Sequence, residues 1–256
     1  MRSITYLLLL LYSLFTSCVA NLRLDVIEVK DYGQFFDPRR KSLFKMGHTS
    51  KIAFSGDKRL LIEERASLTT KDILDNNGKK IDEIVTKEDI SYVVYVYQKG
   101  SKNGLSYHLD SFRQEKGIVF NVDSIIKGLS LDQQPVLSID LGKPIEVLKE
   151  KDVEIEKFLN SKKKPSDPDS IFRYYDRGLR NIDFSFSEKL DRQKNSKLVK
   201  TLFIYNQTNV LEGSKEYTTP RRVMETSMNR INQDVNLLKE VFLKFESDKK
   251  TEKLLK

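Results

Sequence analysis

The sequence predicts a mainly β, α+β fold: β-sandwich or barrel-like sheets followed by a long amphipathic C-terminal helix. Three observations carry that expectation. Short β-branched and aromatic runs recur at regular spacing across residues 22–142. Two of them are separated only by Gly56-Asp57, a hairpin-like break. From Met224 onward apolar residues recur at intervals of four and three, the period of one helix face.

The chain opens with Met1-Arg2-Ser3, an apolar run from Ile4 to Phe15, and Thr16-Ser17-Cys18-Val19-Ala20. A short basic region, an apolar core and small residues at a cleavage site make residues 1–20 a secretory signal peptide. Secretion to the extracellular space or cell surface is the expectation. Cys18, the only cysteine, permits an alternative in which it closes a bacterial lipobox and is lipidated, which would tether the protein to an envelope. Without residues 1–20 the chain keeps 236 of its 256 residues and a charge of +7 (44 basic against 37 acidic). A chain of that size buries enough surface to dispense with disulfides. Lys and Glu are interspersed, as on a solvated surface, and the secretory address argues against nucleic acid as a partner. No later apolar stretch reaches the roughly 18–20 residues of a membrane span.

Within residues 21–160, read as a β-rich domain, Leu22, Leu24 and Val26 alternate with charges. Lys51–Ser55 and Arg59–Glu63 read as a hairpin pair. Tyr92 to Tyr97 is apolar on both faces and is expected to lie inside a sheet. Lys99 to Gly104 is a turn, and Leu105 to Leu109 the returning strand. Ile118-Val119-Phe120 and Val136-Leu137-Ser138-Ile139 are further short strands. Residues 71–90 read as a turn at Asp75-Asn76-Asn77-Gly78 followed by a short helix or irregular crossover, and Lys149 to Asn160 as a short helix. Residues 161–170 hold Pro165, Pro168 and a lysine run, which marks a linker or exposed loop. Beyond it, residues 171–256 carry strands at 171–175, 182–186 and 198–205 and then the helix, with packing onto the first part as one domain an open alternative.

Thr218-Thr219-Pro220 reads as an N-cap followed by proline in the first helical turn. The seam Met224, Met228, Ile231, Val235, Leu238, Phe242 and Phe245 then follows without a break. Its first reading is packing against the chain's own sheet. A protein partner or self-association along the seam is the second, and membrane contact through Lys249, Lys250, Lys253 and Lys256 the third.

Chemistry is sparse. His48 and His108 have no metal-ligand spacing, and no nucleophile elbow, phosphate loop or dinucleotide fingerprint is present, so neither catalysis nor a cofactor is expected. Asn206-Gln207-Thr208 is a sequon, making Asn206 a glycosylation candidate in a eukaryotic pathway. Arg59-x-Leu61-x-Glu63 resembles an export motif of intracellular parasites, but it falls in an expected strand. Arg173, Tyr174 and Tyr175 form an aromatic–arginine cluster of the kind common at interfaces. The expectation is a secreted or surface-attached, non-enzymatic binding protein. A structural component of an envelope, wall or secretory-pathway assembly, self-associating through the helix, is the alternative. A carboxylate-dependent hydrolase is the third.

Overall fold

The computed structural model describes residues 24–251 except 39, 130, 132–140, 162–163, 165–166 and 213–214. Cys18 and the expected strand at Val136–Ile139 lie outside the described residues. In chain order the elements are β1 (Asp25–Asp37), β2 (Ser42–Ser55), β3 (Lys58–Leu74), β4 (Lys80–Gln98), β5 (Asn103–His108) and β6 (Ile118–Asn121). There follow α1 (Val122–Leu129), β7 (Glu146–Glu150), β8 (Val153–Leu159), β9 (Ser170–Asp176) and α2 (Glu188–Lys194). Last come β10 (Lys197–Tyr205), β11 (Thr208–Glu212), β12 (Lys215–Thr219), β13 (Arg222–Arg230) and α3 (Asn236–Thr251).

Eleven strands form one antiparallel sheet in the order β6-β5-β4-β3-β2-β1-β13-β10-β9-β8-β7, and β11 and β12 make a separate hairpin. The mainly β class is therefore met. Instead of two sandwiched sheets, a single ladder runs between edge strands β6 and β7. Two meanders, β1–β6 and β7–β10, are joined by β13, which inserts between β1 and β10. The stretch 161–170 joins β8 to β9, and these strands pair with each other, Phe158 opposite Ile171.

Strand alternation sends residues to two faces, each with its own apolar core. On the helix face, Val26, Leu60, Val94, Val96 and Leu105 pack beneath Leu238, Val241, Phe242 and Phe245 of α3. On the opposite, cavity face, Ile27, Ile52, Leu61, Val93, Tyr95, Leu198 and Met228 cluster with Leu131, Ile182 and Phe186. The stretch 92–97 is thus covered on both sides, as its sequence requires. The Gly56-Asp57 hairpin forms with Ser55 opposite Lys58 and Gly56 at φ +58°.

Four local expectations are corrected. Residues 71–90 are not helical: β3 and β4 continue as a paired ribbon to Leu74 and Lys80. Asp75 Oδ1 accepts the N–H groups of Asn77 and Lys79 at 2.9 Å and closes the turn. A bulge between Thr69 and Thr70 breaks the alternation and so disguised the strand. Residues 149–160 form the β7–β8 hairpin rather than a helix, turning at Lys151, φ +52°. Residues 182–186 join no ladder. They run irregularly over the cavity face, burying Ile182 and Phe186, and end at Ser187, which caps α2 by accepting the Leu190 N–H at 3.3 Å.

The fourth correction concerns the C-terminus. The helix does not begin at Pro220: residues 222–230 are β13, paired with β1 and β10, and α3 has 16 residues. Met224 and Met228 are four apart, a spacing that suits both a helix face and a strand face of period two. The ladder between β1 and β10 decides for the strand, because a helix there would leave the facing backbone groups of both neighbours unpaired.

Candidate ligand cavity

The ladder registers align a polar row across the cavity face. His48 stands opposite Asp31, Asp31 opposite Thr226, Thr226 opposite Thr201, Thr201 opposite Arg173 and Arg173 opposite Glu156. One step outward lies an apolar row in the same order of strands: Met46, Gly33, Met224, Phe203, Ile171 and Phe158. One step inward Ser50, Val29 and Met228 open the buried core. A β-bulge between Leu198 and Lys200 keeps both Leu198 and Thr201 on this face although they are three residues apart.

Over the β2–β1–β13–β10 part of these rows lies a cavity of about 730 Å³. Its floor is Asp31, Gly33, Met224, Thr226 and Phe203. Phe35, Met46, His48 and Tyr205 stand around it, with Asp167 and Pro168 from the β8–β9 loop. Gly33 leaves room for the Phe35 ring: a Cβ there would fall 2.7 Å from it, so the ring would have to shift.

The polar groups are held in place. Thr226 Oγ1 donates to Asp31 Oδ1 at 3.0 Å, and Asp167 Oδ2 accepts the Lys164 N–H at 2.9 Å. The Tyr205 phenol has its pKa raised by burial; the Arg222 guanidinium above its ring opposes this, and Asp167 adds to it. It therefore stays protonated at neutral pH. Deeper on the same face, Thr201 is fully buried and its Oγ1 has no hydrogen-bond partner among the described residues. Ser50 Oγ is in the same condition. Unpaired buried hydroxyls are uncommon and call for an explanation. No group of three or more His, Cys, Asp or Glu side chains is placed to hold a metal among the described residues. No helix among the described residues is long and apolar enough to cross a membrane.

The residues singled out in the sequence do not form one surface. Met224 lines the cavity and Met228 lies in the core beside it. Leu238, Phe242 and Phe245 are buried in the helix-face core, with Ile231 and Val235 packed against it. Arg173 and Tyr175 are buried on the cavity face. Tyr174 is half-buried on the other, with Lys200 over its ring at 5.6 Å. Arg59 and Leu61 of the export-like triplet are buried in β3. His108 pairs with Val93 in the ladder. Asn206 is exposed between β10 and β11. Lys249 lies over the Phe245 ring and donates to Gln98, while Lys253 and Lys256 lie outside the described residues.

Asp31, His48, Phe203 and Thr226 were missed as site residues. A signal existed in β1, where Ile27, Val29, Asp31, Gly33 and Phe35 share one face and a carboxylate interrupts an apolar register. Pairing with β13 and β10, nearly two hundred residues away, is what turns that interruption into a site.

No protein-family model matches the sequence, and no curated relative does. Among solved structures, a DUF1329 family protein from Desulfovibrio piger is similar at 10% identity with a TM-score of 0.21, covering 87% of this chain and 90% of its own. A likeness at that level carries no functional argument.

Proposed function

We propose that the protein is an exported, non-enzymatic binding protein whose ligand seats in the cavity between β2, β1, β13 and β10. The observation that carries this reading is the cavity itself. Its volume falls in the range of small-molecule sites, its walls are mainly aromatic and Met side chains, and a few fixed polar groups lie at its floor. Two carboxylates, Asp31 and Asp167, share it, the minimum for hydrolase chemistry. Both are half-exposed and each already holds a hydrogen bond to the fold, an arrangement that favours recognition over acid–base work. Export rests on residues 1–20.

The test is native mass spectrometry of protein from its source, with Met224→Trp as a cavity-filling control. A small-molecule adduct lost in the variant supports the reading. An adduct-free protein that also takes up no apolar dye would remove it. The same spectrum separates a free N-terminus at Asn21 from an acylated Cys18.

A second reading, self-association, is favoured by the β3–β4 ribbon rather than the helix. Leu68, Val85 and Ile90 are 53–56% exposed there, with Tyr92 at 39%. A mass by light scattering that is monomeric and unchanged in Ile90→Lys would eliminate it.

A further inference from the structure

We propose that the cavity selects a ligand with a protonated primary amine on an apolar body. This inference rests on reading the cavity as the ligand site. The chain carries a formal charge of +8, yet this cavity is lined, among the described residues, by Asp31 and Asp167 and by no lysine or arginine. Neither carboxylate has an ion-pair partner among the described residues. Among the described residues Asp31 accepts a hydrogen bond from Thr226, and Asp167 one from a backbone N–H. Two arginines on the strands that carry the cavity face are engaged with aromatic rings. Arg222 lies over the Tyr205 ring at 5.2 Å and Arg173 over the Phe158 ring at 4.9 Å, and neither lines the cavity. The cavity therefore offers negative charge with no cation paired to it among the described residues.

The wall chemistry agrees in sign. Phe35, Phe203 and Tyr205 present aromatic surface, which attracts a cation and accepts an apolar chain equally well. Behind the floor Thr201 is fully buried next to Thr226, and its hydroxyl has no partner among the described residues. An ammonium group carries three N–H donors, and the cavity lining holds acceptors for them: the carboxylates of Asp31 and Asp167 and the hydroxyl of Thr226. A carboxylate-headed ligand could accept from that hydroxyl but would meet Asp31 at close range, and like charges in a partly desolvated site repel. Arg173, opposite Thr201 in the same row, is the fixed cation that would oppose an ammonium; it lies over the Phe158 ring and does not line the cavity.

Three probes with the same chain separate head-group charge from chain burial: octylamine, octanol and octanoate, titrated calorimetrically into the full-length protein at neutral pH. The amine is expected to bind about tenfold or more tighter than the alcohol, the worth of a charge-assisted hydrogen bond, and octanoate weaker than both. Asp31→Asn keeps an oxygen for Thr226 and is expected to bring the amine-to-alcohol ratio down about tenfold. Asp167→Asn serves as a second variant should the first fail to fold, and Asp89→Asn, on the exposed ribbon, as a charge-matched control that leaves the ratio unchanged. Equal binding of amine and alcohol, or preference for octanoate, overturns the inference while the cavity remains a ligand site. Binding of none of the three overturns the cavity reading, and this inference with it.

Discussion

Thr226 and Asp31 meet through a 3.0 Å hydrogen bond across 195 positions of sequence, and that contact lies in the floor of the cavity. It ties β13 to β1 through side chains as well as through their ladder. The other Asp31 oxygen has no hydrogen bond among the described residues. Thr226→Val keeps the shape and removes the donor. It is expected to cost about 1 kcal/mol, read as a lower urea midpoint with an unchanged slope.

Arg59 is a second long-range anchor. Its guanidinium donates to the carbonyls of Gly56 and Lys58, reaches Asp183, and lies over Phe54. Arg59 is only 6% exposed, so Asp183→Ala leaves a buried cation with carbonyl partners alone. The expected loss is about 1–3 kcal/mol, with residues 180–187 becoming the first site of limited proteolysis. Lys99→Met removes the exposed partner of the same carboxylate and is expected to change stability by less than about 0.5 kcal/mol.

The pH dependence of stability should show the Lys194 cluster. Hydrogen bonds from Lys194, foremost, hold the Glu154 carboxyl below its ordinary value of 4.5, against the effect of burial. Burial pulls the Lys194 ammonium down, and its bonds to Glu154 and Glu156 outweigh this and raise it above 10.5. The Glu154 contribution is therefore present above pH 4.5 and lost as pH falls through its lower folded value. The Lys194 contribution is present below pH 10.5 and lost as pH rises through its higher folded value. Lys194→Met is expected to flatten both limbs of a melting temperature against pH curve. Solvent screening keeps the effect modest.

Burial by α3 holds the helix face together. Phe242→Ala empties a site 2% exposed and is expected to cost about 3–5 kcal/mol in chemical denaturation. Leu243→Ala, 63% exposed on the same helix, should stay within about 0.5 kcal/mol.

The β3–β4 ribbon beyond Glu64 and Tyr92 is exposed along its length, and no described element packs on it. Shortening it by joining residues 67 and 89 through an Asn-Gly turn is expected to leave the circular dichroism spectrum β-rich and the urea midpoint nearly unchanged. A large loss of stability would show that the ribbon supports the fold.

Local patterning was enough to read the class and many elements. The Gly56-Asp57 hairpin, the doubly covered strand at 92–97, the turn after Lys99 and the strands at 171–175 and 198–205 all follow from alternation and turn chemistry, which act over a few residues. The misreadings share one cause. Bulged or short strands, such as 71–90 and 149–160, lose the period that marks them, and residues 182–186 keep a strand's alternation while lying against a sheet instead of in it. The polar row was illegible for a different reason: it takes one residue from each of six strands, and only the interrupted register of Ile27, Val29 and Asp31 hinted at it.

By itself, then, the sequence determined a β-rich chain with an export-like N-terminus, little recognisable chemistry and an amphipathic helix near its end. Tertiary structure decided where that helix begins. Met224, Met228, Leu238, Phe242 and Phe245 obey one spacing, yet the first two lie in a strand, because β1 and β10 leave a slot whose backbone groups must be paired. Tertiary structure also decided that a cavity forms. His48, Asp31, Thr226 and Thr201 carry no local signature, and only the register of an eleven-stranded ladder, set by hydrogen bonds between distant segments, places them side by side beneath a cavity.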